Sequence, residues 1–315
     1  MQYTVLGRTG MRVSRVGLGC GGHSRLGMTR GATEEQAGRV VRAAVGLGVN
    51  VFDTAESYGT EGAVRRGLEG VDRGSVVLST KAAVREGWDG ERRTGVELRK
   101  CLEASLRKLG TEYVDVYHLH GVSAEEYGYA RDELRGEVER FREEGKVRWA
   151  GITEAFGSDT GHAMLARAVT ADAGKWDVVM VGHNVLNFSA RERVLVGTRA
   201  AGVGTLCMFA VRRAMSDMKV LREVVRGLIE RGEVRAGEVD AENPLEFLSE
   251  GGASVVEAAY RFCGNEEGMD VVLTGTGDVG HLRENVGSIL GDRLGEAVME
   301  RLGRVFGGVD CVSGN

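Results

Sequence analysis

Proline is almost absent from this sequence: one residue, Pro244, in 315. Loops without proline keep more of the unfolded chain's freedom. Cysteine is also sparse. The five residues Cys20, Cys101, Cys207, Cys263 and Cys311 are odd in number, evenly spread and without a CxxC pair. That spacing excludes a disulfide framework and a cysteine-based zinc site, so no metal is expected and a reduced, cytoplasmic setting is. Basic charge is not in excess, since 41 basic against 46 acidic side chains leave a net charge of −5. A main partnership with nucleic acid is thereby excluded, because phosphate binding needs a clustered basic surface. No apolar run approaches the roughly 18 residues of a membrane span. The opening MQYTVLGRTGMRVSR lacks the pattern of a signal peptide. Aromatic residues make up only 6% of the chain, a modest supply of pocket walls.

Glycine, by contrast, is abundant at 49 residues and follows no period, which excludes collagen-like and low-complexity chains. Short β-branched runs alternate with stretches of helical spacing. Strands are predicted at Val13–Cys20, Asn50–Asp53, Ser75–Lys81, Tyr113–His120, Val147–Thr153, Asp177–His183, Gly204–Phe209 and Asp270–Thr274. Helices are predicted at Thr33–Leu47, Gly95–Leu109, Arg131–Glu144, Ala190–Ala200, Ser254–Phe262 and Val279–Leu290. Such alternation implies parallel pairing through right-handed crossovers. An open dinucleotide-binding sheet should carry GxGxxG after its first strand, and Gly17-Leu18-Gly19-Cys20-Gly21-Gly22 only approximates it. Eight strands instead match a closed (β/α)8 TIM barrel. Around it we expect an N-terminal hairpin at Gln2–Arg12 and extra helices at Asp217–Arg231 and Arg293–Phe306. Val234–Ala253 is expected to be a surface excursion near the barrel mouth. No linker divides the chain, so residues 1–315 are expected to form one domain, monomeric by default.

In parallel barrels the chemistry sits at the C-terminal ends of the strands. Those ends carry Asp53-Thr54-Ala55-Glu56-Ser57-Tyr58, Ser79-Thr80-Lys81, His118-Leu119-His120, Thr153-Glu154 and His183-Asn184. A phenol with a pKa near 10 is a poor acid or base at neutral pH. A lysine ammonium within hydrogen-bond reach lowers that pKa, and a carboxylate keeps a buried lysine charged. An imidazole at the next strand end can orient a carbonyl. The set suits moving a proton at oxygen while something else supplies hydride. Asp115 and Asp270, early in their strands, are expected to be structural. His118 is expected to be a hydrogen-bonded core residue, Cys20 an inert buried thiol, and Trp88 a wall of the substrate pocket.

The motifs F-D-T-A-E-S-Y-G, S-T-K and Y-V-D-V-Y-H-L-H, with Y-T-V-L-G-R-T-G-M-R-V-S, E-E-G-K-V-R-W-A-G-I-T and H-L-R-E-N, together resemble the aldo-keto reductase family over nearly the whole chain. The resemblance implies a catalytic tetrad of Asp53, Tyr58, Lys81 and His120. It also implies an extended NADP(H) cofactor, with NAD(H) left open, and a small carbonyl or alcohol substrate. Cofactor contacts are implied at Thr153, Glu154, Asn184, Met208, Gly275, Thr276, Glu284 and Asn285. Several positions depart from the family pattern. Glu154 stands where an asparagine is usual, Met180 where a glutamine is, and Met208 where a stacking aromatic is, with Phe209 beside it. The loop after the last strand offers no cation for a 2′-phosphate, which leaves Arg212 and Arg213 as candidates. The departures motivate an alternative, a cofactor-sensing binding subunit with little turnover. A third reading makes Lys81 a Schiff-base amine. Sugars, small aldehydes and larger ketones all remain open as substrates.

Overall fold

A computed structural model describes residues 1–249 and 252–315. Strands β1 (Tyr3–Val5) and β2 (Arg12–Ser14) form an antiparallel hairpin. Eight further strands follow: β3 (Val16–Gly19), β4 (Val51–Asp53), β5 (Val77–Ala83) and β6 (Val114–Val122), then β7 (Val147–Glu154), β8 (Val178–Gly182), β9 (Gly204–Met208) and β10 (Val271–Thr274). All eight are parallel and β10 pairs with β3, so the sheet closes into the expected barrel.

The predicted first strand is split. Val13 and Ser14 belong to the hairpin, whose second strand ends there, and the barrel strand starts at Val16. Elsewhere the element ends differ by a few residues, and Gly95–Leu109 is a helix over the predicted span. Thr33 and Thr94 each close a capping box, which fixes where their helices begin. The predicted helix starts at Arg131 and Ala190 begin instead as wider π-type turns, Ala130–Leu134 and Arg191–Leu195. Helices Glu61–Leu68 and Ala163–Val169 are short, with little room for a periodic signal. The Val234–Ala253 excursion is anchored more firmly than a surface loop, since Val234, Val239, Leu245, Phe247 and Leu248 are buried. Its residues 250 and 251 lie outside the described residues.

Two apolar cores follow from the alternation of side chains along the strands. The outer one lies between sheet and helices. The inner one holds Val51, Val77, Val116, Val178, Met180, Leu206 and Val271, with Leu6, Met11 and Val13 of the hairpin region packed beneath them. The hairpin therefore closes the barrel floor. Arg8 ties it down, donating to Asp177 Oδ1 at 3.2 Å and to the Trp176 carbonyl at 2.6 Å.

Three aspartates staple the lower edge of the sheet. Asp115, Asp177 and Asp270 each stand at the start of a strand and accept a backbone N–H of the preceding one. Their donors are Leu78, Ala150 and Thr205, at 2.9, 3.1 and 3.0 Å. The structural role expected of Asp115 and Asp270 has this physical form.

Truncating the hairpin's central plug tests the floor. Leu6→Ala should cost about 2–5 kcal/mol of unfolding free energy in urea titrations, the range for a fully buried leucine. A loss below about 1 kcal/mol would mean that the hairpin is not part of the barrel's core.

Candidate active site

Directly above the inner apolar layer, the same strand faces turn polar. Asp53 on β4 is in register with Ser79 on β5, and Lys81 two residues on is in register with His118 on β6. The period of two thus directs Asp53, Ser79, Lys81, His118 and His120 toward the barrel's interior and upper rim.

Lys81 is fully buried. Its Nζ donates to both carboxylate oxygens of Asp53 at 2.6 Å and to the Thr54 carbonyl at 2.8 Å. Ser79 Oγ adds a donor to Asp53 Oδ1 at 2.8 Å. Burial works to lower the Lys81 pKa, but Asp53 and its hydrogen bonds outweigh it and leave the ammonium above its ordinary range.

Tyr58 lies in the loop after β4, with its hydroxyl 3.2 Å from His120 Nε2. Lys81 Nζ stands 5.2 Å from the centre of the Tyr58 ring. It acts on the phenol through its field, because its hydrogen bonds go to Asp53 and Thr54. Here the structure corrects the sequence reading, which put the lysine in hydrogen-bond reach and the phenol's pKa below normal. Burial raises the Tyr58 pKa more than Lys81 lowers it. The hydroxyl is therefore held protonated.

The histidines are held neutral. Burial, with the Lys81 charge beside it, keeps both His118 and His120 well below the ordinary imidazole range. His118 is buried in the core, where the Ile152 backbone beside its ring opposes the lowering of its pKa. Its ring fits because β7 offers no side chain opposite, and a methyl group at Gly151 would overlap it. Gly21 does the same for Tyr58, since a methyl group there would overlap the phenol ring. Trp88 packs edge-on against His120 with ring centres 4.7 Å apart and holds a left-handed φ of 81°. Such a backbone is costly for a bulky residue and belongs where the surroundings demand it.

A cavity of about 1570 Å³ opens from this cluster. Asp53, Tyr58, Met180, Met208 and Phe209 line one end, and Gly275, Thr276, Glu284 and Asn285 line the wall from β10 and the helix after it. Arg212 and Arg213 also line it. Arg212 lies 4.1 Å over the Phe209 ring, donates to Asn315 Oδ1 at 2.7 Å, and is near enough to Tyr58 for its charge to favour the phenolate form.

Three expected cofactor residues do not line the cavity. Thr153 Oγ1 accepts the Gly121 N–H at 2.6 Å. Glu154 is fully committed, accepting the Gly182 N–H at 2.7 Å and facing His162 Nδ1 at 2.9 Å. Burial raises its pKa, opposed by His162. Asn184 caps the turn before Asn187, and its amide donates to the Ser313 carbonyl at 3.1 Å. Glu154 is thus the carboxylate of a buried internal pair, which removes the conflict its charge would create in a dinucleotide site.

The sequence pattern missed the opposite wall. His23, Ser24, Arg30, Gln36 and Arg39 come from the loop after β3 and the first long helix. The strand-end rule directs attention to loops but not to a helix face reaching the same cavity. Cys20 is buried, and burial, with Asp53 beside it, raises its thiol pKa, so it is inert. Among the described residues no acidic, histidine or cysteine cluster could hold a metal ion, and no helix is long and apolar enough to cross a membrane.

A closed parallel barrel thus carries a buried lysine–carboxylate pair beneath a tyrosine and a neutral histidine. Residues 17–305 match the aldo/keto reductase family, and the chain belongs to it. A probable aldo-keto reductase 1 of Glycine max is 31% identical over 185 residues, and the L-galactose dehydrogenase of Arabidopsis thaliana is 34% identical over 160. Those two alignments span 56% and 49% of this chain, and about half of each relative, 52% and 48%. The uncharacterized oxidoreductase YqkF of Bacillus subtilis (strain 168) is 24% identical over 96% of this chain and 95% of its own. In structure, the chain is similar to the holo form of aldo-keto reductase AKR11C1 from Bacillus halodurans. The TM-score is 0.72 at 23% identity, covering 99% and 98% of the two chains.

Two predictions follow from the buried groups. His118, His120 and His183 are all neutral through burial. Unfolding below about pH 6.5 lets each take up a proton, so stability is full above that value and falls as pH drops toward the depressed native pKa values. Urea titrations between about pH 7.5 and 5.5 should show this fall, and His118→Leu should reduce proton uptake on unfolding by about one. A flat profile in the wild type would contradict the neutral assignment. Separately, Gly21→Ala should displace Tyr58 and lower kcat by about tenfold or more, the scale set by small misplacements of reacting groups. Steady-state rates on any carbonyl compound that the wild type reduces would decide it, and an unchanged kcat would sink the packing argument.

Proposed function

We propose that this chain is an NAD(P)-dependent carbonyl reductase or alcohol dehydrogenase in which Tyr58 is the general acid and base. The carrying observation is the Tyr58 hydroxyl at 3.2 Å from His120 Nε2, at one end of the cavity and above the Lys81–Asp53 pair. The cavity is long and large enough for an extended dinucleotide. Its glycine-lined walls leave backbone open to a ligand, and Asn285 and Glu284 offer polar groups at the β10 side. The fit is poorer where a carboxamide would lie, because Met180 and Met208 are the side chains available there. Met208, Arg212, Arg213, Gly275, Thr276, Glu284 and Asn285 line the cavity and are proposed as cofactor contacts. Thr153, Glu154 and Asn184 are proposed to shape the site from behind it.

A bound nicotinamide would supply or accept the hydride. In the direction of reduction, Tyr58 gives its proton to the substrate oxygen as that oxygen gains charge. The phenolate left behind is stabilised by the Lys81 ammonium, which Asp53 keeps charged. His120, neutral and in contact with the same hydroxyl, orients the substrate oxygen without adding a competing charge. In oxidation the same phenol takes the proton back. The relative named L-galactose dehydrogenase supports including sugars in the first substrate screen. The five free cysteines support a cytoplasmic setting.

The Schiff-base reading loses its amine. Lys81 is fully buried, and its Nζ is engaged by Asp53 and Thr54, so its nitrogen has no free lone pair for attack.

Tyr58→Phe should abolish turnover while leaving dinucleotide affinity within about twofold, as removal of a group that acts on the reacting proton should. Calorimetric titration with NADPH and NADH beside single-turnover rates would check it. Loss of binding with the chemical rate intact would overturn the assignment. Intact binding with no turnover by the wild type on a broad aldehyde, ketone and sugar panel would favour the cofactor-sensing alternative.

A further inference from the structure

The loop after β10 offers no cation, but the cavity wall facing it does. Arg30 ends the tight turn Arg25–Arg30, and Arg39 stands in the second turn of the helix Glu34–Gly46. Both line the same cavity as Glu284 and Asn285. The helix of Arg39 packs against Val279–Ile289, the helix that carries Glu284 and Asn285. The preceding loop meets the β10 loop directly, since a methyl group at Gly277 would stand 2.5 Å from the Gly27 backbone. Arg30 and Arg39 therefore belong to the β10 end of the cavity.

The loop is built to hold that course. Leu26 is buried at 1% exposure yet keeps a left-handed φ of 58°, followed by Gly27 at φ 87°. Thr29 Oγ1 donates to the His23 carbonyl at 2.7 Å across the turn. A left-handed leucine is strained, and burial of its side chain offsets the cost.

Among the described residues neither arginine is consumed by the protein. Arg39 has an exposed contact of 3.8 Å to Glu35, a pair worth little. Glu34, the other nearby carboxylate, is taken by Arg66 at 3.2 Å. Across the cavity, Asp278 is committed as a helix cap, accepting the His281 N–H at 2.8 Å. By contrast, Arg212 is held at the tyrosine end by Phe209 and Asn315.

We propose that Arg30 and Arg39 form a phosphate subsite at the adenosine end of the cavity, holding the 2′-phosphate of NADP(H) from the side opposite the β10 loop. This rests on the dinucleotide reading above and sets its cofactor preference. It reassigns the role first considered for Arg212 and Arg213. Guanidinium groups suit it, because they pair with phosphate oxygens through two parallel N–H bonds.

The test is calorimetric and needs no substrate. Wild type, Arg30→Ala, Arg39→Ala and the double variant are titrated with NADPH, NADH and 2′,5′-ADP. The wild type should bind NADPH at least tenfold tighter than NADH and should bind 2′,5′-ADP. The double variant should lose most of that ratio with its NADH affinity within twofold of wild type. Added salt should weaken NADPH binding more than NADH binding in the wild type alone. Equal affinities in the wild type, or a ratio that survives in the double variant, would overturn the subsite while leaving the dinucleotide reading in place. If neither dinucleotide binds, both fall.

Discussion

The upper half of the barrel is organised around one buried ion pair. Lys81 and Asp53 are almost wholly removed from water, at 0% and 3% exposure. An isolated charge in that position costs several kcal/mol, and removing one partner strands the other. The pair persists because its bonds are satisfied: both Asp53 oxygens take Lys81, the Thr54 carbonyl takes another of its N–H groups, and Ser79 adds a donor to Asp53. This saturation fixes what the lysine can do. It cannot neutralise easily, cannot act as a nucleophile and has no hydrogen bond for Tyr58. Only its field reaches the phenol and the two histidines.

Packing places those rings within that field, and glycine makes the packing feasible. Gly21 lies against Tyr58, Gly151 against His118, Gly121 against Trp88 and Gly182 against Phe156, and at each a methyl group would overlap or crowd the ring. The ring of Phe156 then stacks on His162 and meets Phe209 edge-on. Part of the chain's high glycine content thus has a local cause. Rings at the strand ends stand flat against bare backbone, and their positions are set by contact that leaves little slack.

This account explains what could be read from the sequence. The barrel was legible because eight β-branched runs alternate with helical spacing, and the grouping of Asp53, Tyr58, Lys81 and His120 because these residues fall at or just after strand ends. The Arg–Phe stack of Arg212 on Phe209 was not, since residue order says nothing of a left-handed backbone at Phe209. Nor was the fate of Glu154, whose partner His162 lies eight residues on in an irregular turn. Seen as a residue type, Glu154 is a mismatch in a dinucleotide site. In the fold it is one half of a buried pair facing away from the cavity. Arg39 escaped notice for a geometric reason: a wall made by the first helix does not belong to any strand end.

The direction of the Tyr58 shift bears on which way the chemistry is poised. Two effects oppose each other at this phenol: burial favours the neutral form, and the Lys81 field favours the phenolate. Burial prevails at rest, so the group stands as an acid. In the proposed reduction the balance changes once the proton moves to a developing alkoxide, because the negative charge left on Tyr58 lies within the field of a fixed ammonium that needs no reorganisation to receive it. A lysine in direct contact with the hydroxyl would lower its pKa further by stabilising the phenolate, drawing the group toward its deprotonated form before reaction. With Lys81 held back on Asp53 the phenol keeps its proton at rest, and in the proposed reaction the field acts on the charge that appears during proton transfer. In that proposed reaction, the same ion pair that anchors the upper barrel sets the timing of charge at Tyr58.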